Sequence, residues 1–573
     1  MNSLFLAAIM FAAYIIAYHT YGKFVAKRIF RINPTAICPS EALRDDVDFI
    51  PTNKYMLFGH HFASIAGLGP IIGPAIAIIW GWIPAVLWVL IGSIFMGGIH
   101  DFGSLVLSLR NQGRSIGDLS KEIIGNRVRI LFLLIIFFEL LLVIAVFSLI
   151  IAMLFKLYPE SVLPVWLQIP IAVYLGYLIY VKRKSIFWLG IAAVITMYIT
   201  IVIGAYIPVQ MPALFGLDPL VIWIIILLIY VYIASTLPVQ TLLQPRDYIN
   251  SHQLIVAMLL LIAGIVIARP VLVAPALNLV PEGAPPLIPF IFVIIACGAI
   301  SGFHSLVSSG TSSKQCDKES SSLFIGYGGM LTEAALATLV IIAVAAGLGL
   351  GMTTGNGTIL TGVNAFNQHY ASWQAASGLE AKLSAFVTGS VNIVHSIGIP
   401  KNIAVALFGV FLVSFAATTL DSATRIQRYV VGELARASHV KFFSGKHPAT
   451  FIAVILAFLL AFYNGSGRGA LTLWPLFGTV NQLMAGLALL VVSIYLIKQK
   501  INAIFTTLPM VFVIIMTGWA MVINVQGFYL ASNWLLFSIG LAIFGLEIWM
   551  IIESLLVIRT AMSHSLTRIF HKQ

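Results

Sequence analysis

Apolar residues run along most of this chain in blocks about as long as a lipid bilayer is thick, parted by short polar segments. A spanning helix needs about 20 mostly apolar residues. Blocks of that kind lie near 3–22, 58–80, 82–108, 130–155, 163–181, 185–208, 219–243 and 251–268, and again near 286–311, 324–350, 402–430, 449–465, 471–497, 504–523 and 533–557. They predict an all-α polytopic membrane protein of about 15 transmembrane helices. The longest polar interval, 351–401, opens with Gly351-Met352-Thr353-Thr354-Gly355 and then carries a moderately apolar stretch from Leu383 to Ile399. That stretch predicts a re-entrant or surface-lying helix.

Two blocks are interrupted. Between Phe58 and Pro74 lie Gly67, Gly69, Pro70 and Gly73; between Ser235 and Tyr248 lie Pro238 and Pro245. Backbone groups freed by Gly or Pro survive in a membrane only when buried in protein or lining a wet cavity. Proline kinks are the plainer reading. The two segments are five blocks apart and enter from opposite sides, which predicts an inverted five-plus-five repeat core with two discontinuous helices. The repeats are then 58–208 and 219–433, the second including the outer loop 351–401. Residues 1–57 form an accessory helix and cytoplasmic loop, and 448–573 form four accessory helices. Substrate is expected between the breaks, at His61, Ser64, Gly67 and Gly69 on one side and Ser235, Thr236 and Gln240 on the other. Half-helix N-termini there would receive an anion, and unwound carbonyls would hold a cation.

Ionisable groups at membrane depth usually mark a pathway or relay. Glu139 stands in Phe137-Phe138-Glu139-Leu140 with no basic residue within a turn and is the first candidate to carry a proton. His60, Asp101 and His304 are further candidates for ion coupling. Ser308 and Ser309, with carbonyls of a broken helix, would suit sodium through hard oxygen ligands; small residues that merely let helices approach are the bland alternative. Glu333 reads equally as a helix–helix hydrogen-bonding group. Asp421 is expected to pair with Arg425 at i+4.

Composition narrows the class. Hydrophobic residues make up 60% of the chain and charged residues only 9%, whereas a soluble domain carries about 25% charged residues. The formal charge of +12 would suggest a nucleic-acid partner if the basic residues formed one patch. Alternating the blocks from an outside N-terminus leaves five Lys/Arg outside (Lys156, Arg269, Lys382, Lys401, Arg468) and the other 27 of 32 at the inner side. That bias is the positive-inside rule; it places the C-terminus in the cytoplasm and removes the case for nucleic acid. The chain opens without a positively charged leader segment, so the first block is expected to be retained. Cys38, Cys297 and Cys316 show no metal-like spacing and are expected to be incidental reduced thiols. The histidines match no zinc or iron pattern, which weighs against a membrane metalloenzyme, and no repeated filter supports a channel. No cofactor is expected beyond the coupling proton or sodium.

Several motifs together resemble the carbon starvation protein A family of bacterial inner-membrane transporters. They are Pro51-Thr52-Asn53-Lys54 with Phe58-Gly59-His60-His61-Phe62, Asp101 with Asn111-Gly113-Arg114-Ser115, and Gln244-Pro245-Arg246-Asp247-Tyr248. The run continues with Ala296-Cys297-Gly298, Ser301-Gly302-Phe303-His304 and Ser308-Ser309-Gly310-Thr311, then Gly326-Tyr327-Gly328 with Glu333. Asp421 with Thr424-Arg425, and Leu473-Trp474-Pro475 with Asn481-Gln482, complete it. The resemblance implies a nutrient importer of the amino acid–polyamine–organocation superfamily, working in carbon starvation by alternating access on pyruvate or short peptides with a coupling cation. Peptide-only or amino-acid-like uptake with sodium is the alternative. The partners implied are a small-molecule or peptide substrate and the bilayer, with a small accessory protein and the oligomeric state left open. The outer loop is more compact than the family resemblance leads one to expect.

Overall fold

The computed structural model describes residues 2–214 and 216–570. Its principal helices are α1 (Ser3–Ile29), α2 (Lys54–Ile65), α3 (Gly69–Trp80), α4 (Trp82–Leu109), α5 (Asn126–Leu157) and α6 (Pro159–Val181). Next come α7 (Ile186–Tyr206), α8 (Pro219–Thr236), α9 (Leu243–Ala268), α10 (Leu287–Ile294), α11 (Gly302–Gly310) and α12 (Glu319–Leu350). The last six are α13 (Leu379–His395), α14 (Lys401–Ala437), α15 (Lys446–Phe462), α16 (Trp474–Lys498), α17 (Ile504–Leu530) and α18 (Trp534–Phe570). A two-stranded hairpin, Met352–Thr353 with Ile359–Leu360, sits before α13.

Local sequence explains the boundaries. α5 runs 32 residues because no Gly or Pro interrupts Asn126 to Leu157, and Pro159 begins the next element. α8 starts where the Asp218 side chain accepts from the Leu220 amide at 2.8 Å, with Pro219 in the first helical position, the place where proline fits a helix best. Asn53 caps α2 in the same way through the Tyr55 amide at 2.9 Å.

Among the described residues, twelve helices are long and apolar enough to span a membrane, and thirteen if the bent pair α2 and α3 counts as one span. The expected fifteen is not reached on that measure. α15 has only 17 residues, and the block at 286–311 is divided into α10 and α11, each too short alone.

The first expected interruption is present: α2 and α3 meet at a 46° bend around Ala66-Gly67-Leu68. The second is not where expected. Ser235 to Tyr248 is a turn between two complete helices, because α8 ends at Thr236 and α9 begins at Leu243. Pro245 lies in the first turn of α9, where a missing N–H costs nothing. The other broken span is α10 and α11, parted by residues 295–301, so the breaks are not five blocks apart, and the spacing that suggested a five-plus-five repeat is absent.

The two breaks touch. A Cβ placed on Gly69 would lie 2.3 Å from Cys297 Sγ, and one on Gly73 would lie 2.4 Å from the Ile294 carbonyl. Only glycine permits that approach.

α13, expected to be re-entrant or surface-lying, is packed against other helices. A Cβ on Gly389 would stand 2.0 Å from the Ala343 carbonyl, and one on Gly264 would stand 2.5 Å from that of Ile393, so α13 presses against the backbones of α12 and α9. The connections gather on two faces. On one, Ser3 N donates to Pro270 O, Val273 N to Ala345 O and Trp373 N to Glu282 O. On the other, Ile50 N donates to Lys314 O, Thr52 N to Gln315 O and Val239 N to Val47 O.

Candidate functional site

The α10–α11 break frees backbone groups that lipid cannot satisfy, and side chains from three other helices meet them. Trp88 of α4 donates to Ile295 O at 2.9 Å, and Glu333 of α12 accepts from the Gly298 amide at 3.1 Å. Gln482 of α16 donates to Phe292 O at 2.8 Å and Ile300 O at 3.0 Å, while its neighbour Asn481 accepts from Phe303 N at 3.0 Å. Gly298, at φ +89°, turns the chain. The break is therefore built into the core and is no local kink. At the other break, the amides of Gly67 and Leu68 make no hydrogen bond among the described residues.

Both breaks border a cavity of about 640 Å³ that contacts Gly67, Gly69, Cys297, Thr419 and Asn481. Its walls are mostly apolar, from Ile72 and Ile76 of α3, Val143 and Phe147 of α5, and Phe477 and Phe528 of α16 and α17. It reaches Gly283, Trp373 and Lys382 at the face that carries the 269–286 and 351–401 connections. Lys382 is its one charged lining residue among those described. The side chain is half-buried and has no acidic partner among the described residues; burial brings its ammonium down to about 8.

Directly behind Cys297 lies a buried cluster. Asp101 takes His100 Nδ1 on one oxygen at 2.7 Å and His304 Nδ1 on the other at 2.9 Å. The opposite ring nitrogen of His304 stands 3.3 Å from a Glu333 oxygen, with neither atom in a hydrogen bond. His61 Nδ1 meets Ser312 Oγ at 2.9 Å, and its other nitrogen is buried without a hydrogen-bond partner among the described residues.

At the opposite face the molecule is closed by ion pairs. Asp48 binds Arg425 and Arg428, each at 2.9 Å. Burial would raise the Asp48 carboxyl, but the two guanidiniums and Lys314 hold it well below the usual carboxylate range. Arg246 pairs with Asp421, which also accepts from Tyr230 OH at 2.9 Å. The expected Asp421–Arg425 pair is thus replaced by two longer-range pairs. His60 Nδ1 meets Asp247 at 2.6 Å in the same region, away from the cavity.

Of the residues expected to hold substrate, Gly67 and Gly69 line the cavity; His61 and Ser64 sit just behind it, with Ser64 Oγ 2.9 Å from Ser422 Oγ. Ser235, Thr236 and Gln240 are elsewhere. The Ser235 carbonyl accepts from Arg428, Thr236 bonds its own helix, and Gln240 donates to Asp46 O. They belong to the closed face because the second break is not theirs. Among the ion-coupling candidates, Asp101 and His304 meet in the cluster. Ser309 Oγ is occupied by Ile116 N and Ser305 O, and Ser308 Oγ is buried without a hydrogen-bond partner among the described residues; neither lines the cavity. Glu139 is fully buried, and both its oxygens lack a hydrogen-bond partner among the described residues. It occupies the α5 stripe that continues at i+4 and i+8 to the cavity residues Val143 and Phe147, about 6 Å below the first of them along the helix. Sequence reasoning missed Cys297, Lys382 and Asn481. Only the Cys297-Gly298 dipeptide inside an apolar run hinted at the break.

A bundle of apolar helices that is closed at one face and hollow at the other, with the hollow ending on two broken helices, defines a polytopic membrane transport protein. The chain belongs to the carbon starvation protein CstA family, whose profile matches residues 2–520. A peptide transporter CstA of Campylobacter jejuni is 32% identical over 90% of this chain and 79% of its own length, and that of Escherichia coli 32% identical over 87% and 77%. The pyruvate/proton symporter BtsT of Escherichia coli is 31% identical over 93% of this chain and 84% of its own. Among solved structures, a manganese transporter of Eremococcus coleocola aligns with 90% of this chain and 99% of its own, at 14% identity and a TM-score of 0.39.

Proposed function

We propose that this chain is a proton-coupled importer of a small monocarboxylate such as pyruvate, working by alternating access in a bacterial inner membrane. The observation that carries the reading is the cavity: it ends on two helix breaks, and its charged lining among the described residues is one lysine and no acid. A carboxylate is suited by Lys382 at the mouth and by the unbonded Gly67 amide at the floor. The ammonium of a zwitterion would find no anion there. The face with the cavity is the outer one by the Lys/Arg bias, so the conformation is outward-facing, with the Asp48 and Asp421 pairs sealing the cytoplasmic side. Glu139, beneath the cavity, carries the proton.

Peptide uptake is the second reading, and cavity volume favours it: about 640 Å³ exceeds what a three-carbon acid fills and lies within the range for larger ligands. Carbonyls of the breaks would then receive the ammonium.

Uptake of labelled pyruvate into proteoliposomes, with proton and sodium gradients imposed separately, tests the proposal. A proton gradient is expected to drive accumulation, and Glu139→Gln is expected to abolish accumulation while leaving exchange. Uptake driven only by sodium would reject the proton assignment. Entry of labelled dipeptides, with no pyruvate entry under either gradient, would move the substrate to the second reading.

A further inference from the structure

The cluster behind the cavity has a property that proton-coupled transport does not require. Cys297 Sγ, a His304 ring nitrogen and a Glu333 carboxylate oxygen lie within 4.8 Å of one another. They come from different elements: Cys297 from the break, His304 from α11 and Glu333 from the middle of α12. Three features separate this set from a chance meeting of polar groups. Asp101 meets His304 at Nδ1, 2.9 Å away, which orients the ring so that the neutral imidazole would present Nε2 as a lone-pair donor; that carboxylate–histidine arrangement is the usual outer support of a metal-bound imidazole. His304 Nε2 and Glu333 Oε2 are both fully buried and face each other at 3.3 Å, too long for a good hydrogen bond and with no other hydrogen-bond partner among the described residues, so an ion placed between them would satisfy both. Glu333 is oriented in turn, because its other oxygen accepts from Gly298 N at 3.1 Å.

We infer that Cys297, His304 and Glu333 form a binding site for a divalent ion of the zinc class, with its fourth position open to the cavity. The donor set of one thiolate, one imidazole and one carboxylate suits a borderline-soft ion; calcium or magnesium would want oxygen ligands. The spacing agrees. Zinc–nitrogen and zinc–oxygen bonds of about 2.0–2.1 Å at a tetrahedral angle separate the two ligand atoms by about 3.3 Å, and His304 Nε2 and Glu333 Oε2 are 3.3 Å apart. Cys297 lines the cavity, which gives the ion its route in and leaves one coordination position for water or a ligand from the cavity.

The test reads the ion directly and needs no transport. Purified full-length protein, stripped with chelator, is titrated with cobalt(II), then with zinc as competitor. One equivalent of cobalt is expected, with a thiolate-to-metal charge-transfer band that zinc abolishes. Cys297→Ser is expected to remove the band, and Cys316→Ser to leave it intact. Should Cys297→Ser fail to fold, Glu333→Gln is expected to weaken cobalt binding at least tenfold. In unmodified protein, zinc should also slow outer-face labelling of Cys297 by a membrane-impermeant thiol reagent. No bound equivalent in folded protein, or a band that survives Cys297→Ser, overturns the inference and leaves the cluster as an acid–base pair. Loss of pyruvate uptake with cobalt binding intact would count against the transport reading alone.

Discussion

Single residues set what the cavity can attract. Lys382 is half-buried at its mouth with only desolvation acting on it, and its pKa falls to about 8 from an ordinary value of about 10.4. The charged form therefore persists below about pH 8 and is lost as pH rises through it. An anionic substrate is expected to bind with roughly constant affinity from pH 6 to 7 and more weakly above 8, as measured by tryptophan quenching or calorimetry in detergent. Lys382→Met should bind about tenfold more weakly, a typical worth for a charge-assisted contact, and should lose that pH dependence. A slope that persists in Lys382→Met would assign the titration to another group. Lys382 was legible in sequence only as one of five outer basic residues. Nothing local to it told that α13 would carry it to the cavity, because that depends on Gly389 fitting against α12. Glu139 differs: a carboxylate alone in an apolar run is visible at once, and it is buried without a hydrogen-bond partner among the described residues.

At the level of elements, the helices were legible and one of the breaks was not. Bilayer-length apolar blocks follow from the hydropathy pattern, and the glycines and prolines from Gly67 to Pro74 mark the break that falls at Ala66-Gly67-Leu68. The α10–α11 break escaped because Ile294-Ile295-Ala296 and Ala299-Ile300 flank a single Gly298, so hydropathy runs through it. Pro238 and Pro245 misled in the other direction: proline at the start of a helix looks the same in sequence as proline within one. The Asp421–Arg425 expectation failed for a related reason, since the i+4 rule knows nothing of Asp48, which lies 377 residues from Arg425. Contact between the breaks gives a test. Gly69→Ala puts a Cβ 2.3 Å from Cys297 Sγ, so it should destabilise the protein by about 1–3 kcal/mol, read as a lower unfolding temperature in detergent. Combining it with Cys297→Gly should restore part of the loss. Additive losses in the double variant would mean the two broken spans do not meet there.

For the whole molecule, the proposed alternating access makes the ion pairs of the closed face an electrostatic lock. Asp48 gathers Arg425 and Arg428 from α14 onto the segment before α2, and Arg246 of α9 binds Asp421 of α14. The Asp48 carboxyl titrates below its ordinary value of about 3.9. The stability it contributes is therefore fully present above that value and is lost only as pH falls through the lower folded one. Between pH 5 and 8 this part of the lock should not respond to pH. Asp48→Asn leaves two buried guanidiniums without their anion, at a cost of about 3 kcal/mol, or about a hundredfold in the balance between outward and inward forms. Outer-face labelling of Cys297 should slow accordingly, and unchanged labelling would show that the lock lies elsewhere.

The support of the α10–α11 break also imposes an order in time. Asn481 and Gln482 follow the groups they satisfy by about 180 residues of chain, so a ribosome feeding this protein into a membrane delivers the break long before its partners. Until α16 inserts, Phe303 N and the Ile300 carbonyl must rely on water or lipid headgroups. The transport core is thus completed only near the end of synthesis, and a chain truncated before Asn481 would hold the broken helix without the side chains that complete it.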